Sequence, residues 1–100
     1  MNPSLYQLAL RAAELAGVSH SQVFSRRRTD AVCKIRYAVW RIGRAAGLSL
    51  NAMKGTFGRK DHGTVLNGLR RAEDLYQTDK CFRSFCDQLS TLNSQPSTNN

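Results

Sequence analysis

Phe57-Gly58-Arg59-Lys60-Asp61-His62-Gly63-Thr64-Val65-Leu66 is the stretch that decides how this chain is read. It describes a turn that opens straight into a helix. Gly58 stands where a preceding helix ends, Arg59 and Lys60 fill the turn, and Asp61 is suited to the N-cap. Asp is favoured there because its side-chain oxygen accepts a backbone N–H that has no partner within the helix. The new helix then carries His62, Gly63 and Thr64 on its first turn, with two cations just outside it. A helix start flanked by Arg and Lys is suited to phosphate, because its first N–H groups point outward at the positive end of the helix dipole. Small polar residues on that turn can reach base edges in a major groove. The pattern predicts the head of a DNA recognition helix.

Outward from this stretch the chain reads as helices throughout. On its N-terminal side, Ser49 caps a short helix that carries Leu50, Met53 and Phe57 and stops at Gly58. Two helices joined by a short turn containing glycine form a helix-turn-helix. On its C-terminal side, Val65, Leu66, Leu69, Ala72, Leu75 and Tyr76 recur at helical spacing and turn inward. A last helix, about 79–92, buries Phe82, Phe85, Leu89 and Leu92. The longest helix, about 31–46, is capped by Asp30 and closed by Gly47. Its expected buried stripe is Ala31, Val32, Ile35, Ala38, Val39, Ile42, Ala45 and Ala46, with Lys34, Arg36, Tyr37, Arg41 and Arg44 largely off it. Trp40 is expected to pack rather than to stack on bases.

The N-terminal helix starts at Asn2-Pro3, with Asn2 as cap and proline at the first helical position. It uses Leu5, Leu8, Ala9, Ala12, Leu15 and Ala16 as its inner face and ends at Gly17. A short helical turn over 21–24 tucks in Val23 and Phe24, and an arginine-rich loop spans 25–29. No segment alternates as a strand does, and no repeat is visible. The expected fold is all-α, five to six helices in a single domain over 1–92, with 93–100 a disordered polar tail.

Charge narrows the partner. The 100 residues carry 15 Lys and Arg against 7 Asp and Glu, a net +8. Between Arg26 and Arg71 twelve cations face only Asp30 and Asp61, so that segment carries +10 and the remainder −2. A solvated face would intersperse acids. A basic middle in a near-neutral frame points to a polyanion. Cys33, Cys81 and Cys86 have no metal-ligand spacing and read as free thiols of a reducing compartment. No apolar run approaches the ~20 residues of a membrane span, and no signal peptide is visible. A cytoplasmic, nucleoid-associated protein is expected. Asp61 and His62 are neighbours on one helix with no nucleophile or metal partner, so no catalytic residues and no enzyme activity are expected. The opening Met1-Asn2-Pro3, which leads directly into a capped helix, favours a natural small protein over an excised piece.

With these residues placed, the chain resembles the C-terminal DNA-binding domain of the bacterial replication initiator DnaA, over about 5–92. The family's hallmark run, Gly-Gly-Arg-Asp-His-Thr-Thr-Val-Leu, compares with Gly58-Arg59-Lys60-Asp61-His62-Gly63-Thr64-Val65-Leu66. Its basic loop and following helix compare with Ser25-Arg26-Arg27-Arg28-Thr29 and Val32-Cys33-Lys34-Ile35-Arg36, and its Leu-Ser-Leu with Leu48-Ser49-Leu50. The resemblance implies a Trp-repressor-like helical fold that binds sequence-specific sites in double-stranded DNA, of the kind called DnaA boxes, and regulates replication initiation. It implies that Arg28 enters the minor groove, that Arg36 contacts DNA from the next helix, and that Lys60, Asp61, His62 and Thr64 sit in the major groove.

The full expected DNA-contacting set has two parts. The basic loop and long helix supply Arg26, Arg27, Arg28, Lys34, Arg36 and Tyr37. The helix-turn-helix supplies Ser49, Lys54, Arg59, Lys60, Asp61, His62, Gly63, Thr64 and Asn67. Lys60 stands in place of the family's arginine, replacing bidentate guanine reading with a single ammonium contact. Gly63 replaces a threonine and Tyr37 a glutamine. The phosphate-binding Gly-x-x-x-x-Gly-Lys-Ser/Thr loop of an ATPase is missing, so no nucleotide cofactor is expected.

Several alternatives stay open at this stage. The chain could be a helix-turn-helix transcription factor with a different site. It could also be a small regulator that grips a replication initiator or its regulators, as an acidic C-terminal helix (Glu73, Asp74, Asp79 and Asp87) and the departures at Lys60 and Gly63 suggest. A membrane-surface role is disfavoured because the cations sit on a helix-turn-helix. Arg70 and Arg71 could balance a helix dipole or meet phosphate, and Tyr37 could stack on sugar–phosphate or pack on Arg41.

Overall fold

A computed structural model describes residues 3–25, 29–57 and 62–94. The chain is all-α, and its described elements are α1 (Pro3–Ala16), α2 (His20–Val23), α3 (Asp30–Ala45), α4 (Leu50–Met53), α5 (His62–Thr78) and α6 (Lys80–Ser94). Glycines end α1 and α3 as the sequence predicts. Gly17 at φ +74° lets its own N–H reach Glu14 O and the Val18 N–H reach Ala13 O. Gly47 at φ +98° repeats the arrangement with Arg44 O and Gly43 O. Each pair satisfies carbonyls the helix end leaves open, in a left-handed conformation that favours glycine.

α3 is the axis of the molecule and touches every other helix. Leu5, Leu8, Ala9, Ala12 and Ala13 of α1 pack on one side of it, and Val65 and Ala72 of α5 share the same core. Phe82, Cys86 and Leu89 of α6 complete the core. Trp40 is 2% exposed, between Phe57 (rings 5.6 Å apart, edge-on) and Tyr37 (6.5 Å). Its Nε1 has no hydrogen-bond partner among the described residues, so the indole is held by packing. α5 comes in close enough at Gly68 that a Cβ there would lie 2.4 Å from two indole carbons. That glycine sets the spacing of α3 and α5.

Several boundaries differ from those the sequence predicts. Thr29, not Asp30, caps α3: its Oγ1 accepts the Val32 N–H at 3.4 Å. Asp30 is inside the helix, and its carboxylate lies 3.3 Å from Lys34 one turn on. The α3 stripe is rotated, with Ala31, Ala45 and Ala46 exposed while Arg36, Trp40 and Gly43 are buried. The last turn of α1 leaves Leu15 and Ala16 outside, and Ala13 is buried instead. α4 stops at Met53 because Lys54 is already extended and Gly55 turns left-handed at φ +89°. Phe57 is nonetheless buried beyond the helix.

Leu66 is 39% exposed rather than inward, and Gly68 occupies the face against α3. Glu73 and Asp74 belong to α5, so the acids do not form one C-terminal helix. α6 begins one residue later than expected and includes Asn93 and Ser94. Asp79 is its cap, accepting N–H bonds from Cys81 at 2.9 Å and Phe82 at 3.1 Å. The expected Asn2 cap, the 26–28 stretch of the basic loop, the Leu92 side chain and the 95–100 stretch of the tail lie outside the described residues.

The thiols differ sharply. Cys81 is exposed, Cys33 half-buried and Cys86 buried, with burial pushing the Cys86 thiol up to about 11. A thiol reacts as its thiolate. Mildly alkaline maleimide labelling followed by mass spectrometry is therefore expected to modify Cys81 first and Cys86 only as the chain unfolds. Equal rates at the two positions would contradict this packing.

Candidate nucleic-acid interface

Two helices supply the walls of a cleft of about 550 Å³. From α3 come Cys33, Arg36, Tyr37 and Trp40, spaced i, i+3, i+4, i+7 and so on one face. From α5 come Thr64, Asn67, Gly68, Arg70 and Arg71. Among the described residues no Asp or Glu lines this cleft. The outer face of α5 beside it presents Gly63, Leu66, Asn67 and Arg70, all exposed. Of the residues expected from sequence to meet DNA, the structure brings Arg36, Tyr37, Thr64 and Asn67 to one place.

Arg36 reaches that place as a buried residue. It is 3% exposed, its Nε donates to Val23 O at 3.0 Å, and its Nη2 donates to Ser25 O at 2.7 Å. The guanidinium also lies 5.8 Å from the Phe57 ring centroid. Burying a charge is tolerated when hydrogen bonds replace its water. Here those bonds fasten the end of α2, and the chain leading into the arginine stretch, onto α3. The expectation that Arg36 lies off the buried stripe is thus corrected, because the open carbonyls at the end of α2 need a donor. Tyr37 turns to Trp40 and Gly68, while Arg41 stacks on Tyr76 at 3.6 Å and pairs with Glu73 at 3.1 Å.

Lys34 is held elsewhere. Its Nζ lies 3.1 Å from Asp79 and 3.3 Å from Asp30, and hydrogen bonds to these carboxylates raise its pKa. It ties α3 to the α5–α6 corner. Asp79 in turn is held below the ordinary carboxylate value, first by the Phe82 N–H and then by Lys34. A carboxylate depressed in the folded state adds stability above its unfolded pKa (~3.9), and that stability is lost as pH falls through the folded value. Asp79→Asn keeps a capping oxygen but removes the charge. It is expected to lower Tm at neutral pH, with the gap from the parent closing as acid protonates the folded carboxylate, below its ordinary range. A pH-independent gap would remove the carboxylate's charge from the account.

Ser49 caps α4 by accepting the Ala52 N–H at 3.1 Å, and half-buried Lys54 ends that helix; neither lines the cleft. Arg26, Arg27, Arg28, Arg59, Lys60 and Asp61 lie outside the described residues, as does the side chain of His62, whose backbone begins α5. Arg70, Arg71, Cys33 and Trp40 are cleft residues that the expected set omits. A signal for one of them was present: Thr64, Gly68 and Arg71 follow i, i+4, i+7 and so continue the face that starts at the head of α5.

Among the described residues no cluster of His, Cys, Asp or Glu could hold a metal, and no helix is long and apolar enough to cross a membrane. No protein-family model matches the chain, and no curated protein matches it.

Proposed function

We propose that this chain is a sequence-specific double-stranded DNA-binding module of the kind that ends the replication initiator DnaA, acting on initiator-type sites or as a small transcription regulator. In this reading the head of α5 enters the major groove, the arginine stretch after α2 reaches the adjacent backbone or minor groove, and phosphate contacts set the register. The observation that carries it is convergence. Arg36, Tyr37, Thr64 and Asn67, expected to meet DNA from two separate parts of the sequence, line one cleft, with no acid among its described residues, beside the exposed face of α5. The +10 segment from Arg26 to Arg71 spans α3, α4 and the first ten residues of α5.

Selection of bound duplexes from a random pool tests this. A single enriched motif is expected. On it, with about six phosphates neutralised, affinity should fall ~10³-fold or more between 50 and 200 mM salt. No enrichment, or a weak salt response, would overturn the proposal.

A further inference from the structure

We infer that the cleft between α3 and α5 is a seat for the sugar–phosphate backbone, in which Arg70 and Arg71 each take a phosphate of a strand that flanks the bases met by the head of α5. This rests on the DNA-binding reading and extends it by almost two helical turns, since Thr64 and Arg71 are about 10 Å apart along the axis.

Several cations of the described residues are already occupied. Lys34 is held by Asp30 and Asp79, Arg36 by carbonyls of Val23 and Ser25, and Arg41 by Glu73 and Tyr76. Arg44 donates to Leu48 O, and Arg83 donates to Tyr76 O and Gln77 O. Arg70 and Arg71 differ: both are exposed, and neither has a hydrogen bond or ion pair with another described residue. Both line the same cleft, together with Thr64 and Asn67. A guanidinium matches a phosphate with two parallel N–H bonds, and hydroxyl and amide groups complete such contacts.

The described residues of the walls include two arginines and no carboxylate, which is the charge complementarity a polyanion needs. The opposite end is marked as well. Arg71 also borders a neighbouring hollow of about 380 Å³ lined by Asp30, Lys34 and Asp74; Lys34 offsets Asp30 there, and the Asp74 charge disfavours a phosphate strand running further. A dipole-balancing role would place the arginines in the last turn, but α5 continues seven residues past Arg71 to Thr78.

The test uses the full chain and the variants Arg70→Gln, Arg71→Gln and the double, titrated with the pool-selected duplex and with a random duplex across a salt series. Each single change is expected to weaken both duplexes alike, by roughly tenfold. It should also make the slope of log K against log salt shallower by about 1, and by about 2 for the double. Unchanged slopes in variants of a chain whose parent binds DNA would overturn the phosphate seat alone. A loss confined to the selected duplex would overturn it in favour of base reading. A parent that binds neither duplex would overturn the DNA-binding reading on which it rests. Thermal unfolding of the variants is expected to match the parent because both side chains are exposed.

Discussion

Gly68→Ala is expected to destabilise the fold by about 2 kcal/mol, lowering Tm by roughly 10 °C. The added methyl would lie 2.4 Å from Trp40 Cε3 and Cζ3, and 3.3 Å from Tyr37 Cδ1. The indole has no easy retreat, because it is 2% exposed and also meets Phe57. Overpacking a core by a methylene costs ~1–3 kcal/mol, and a contact this short belongs at or beyond the upper end. The alanine recovers ~1 kcal/mol of helix propensity, which leaves the clash dominant. For a domain of this size each kcal/mol moves Tm by about 4–8 °C. Chemical denaturation of Gly68→Ala, Trp40→Leu and the double variant checks the mechanism: the double should be more stable than the sum of the singles predicts. Additive losses would mean that α5 does not rest on the indole.

Arg36→Met should cost about 3 kcal/mol. The substitution leaves Val23 O and Ser25 O without the charged donor that now serves them, and bonds of that kind contribute ~1.5–3 kcal/mol each. Part of the gross loss returns, because methionine carries no charge to bury. Arg36→Lys is expected to rescue poorly: one ammonium does not reproduce the fork that spans both carbonyls. DNA affinity should fall along with stability, through loss of the position of the chain entering the arginine stretch. A variant with parental Tm and lost affinity would instead make Arg36 a direct DNA contact.

These two positions also show where the sequence was and was not legible. Helix ends at Gly17 and Gly47 were readable because a left-handed residue leaves a local signature in the chain. The Ser49 cap was readable for the same reason, since a cap bonds three residues ahead. Gly68 was not, because its role is defined by an indole 28 residues away and glycine enters a helical pattern as a blank.

Arg36 was misplaced because periodicity treats every cation as solvated, whereas the open carbonyls that bury this one belong to another helix. Leu66 was misplaced in the opposite sense. It follows Val65 on the wheel, but only one of two adjacent positions can face α3, and Val65 is fully buried there. For the site, charge and capping mark the head of α5 in the sequence, while the cleft two turns along it exists only because α3 packs alongside.

The most direct test of the central claim is an amide-shift titration of the ¹⁵N-labelled chain with the selected duplex. The largest shifts are expected at Gly63, Thr64, Asn67, Arg70 and Arg71 on α5 and from Ser25 to Tyr37 across the start of α3, with α1 and the outer face of α6 nearly still. Shifts concentrated on α1 or α6, or none at saturating duplex, would contradict the account.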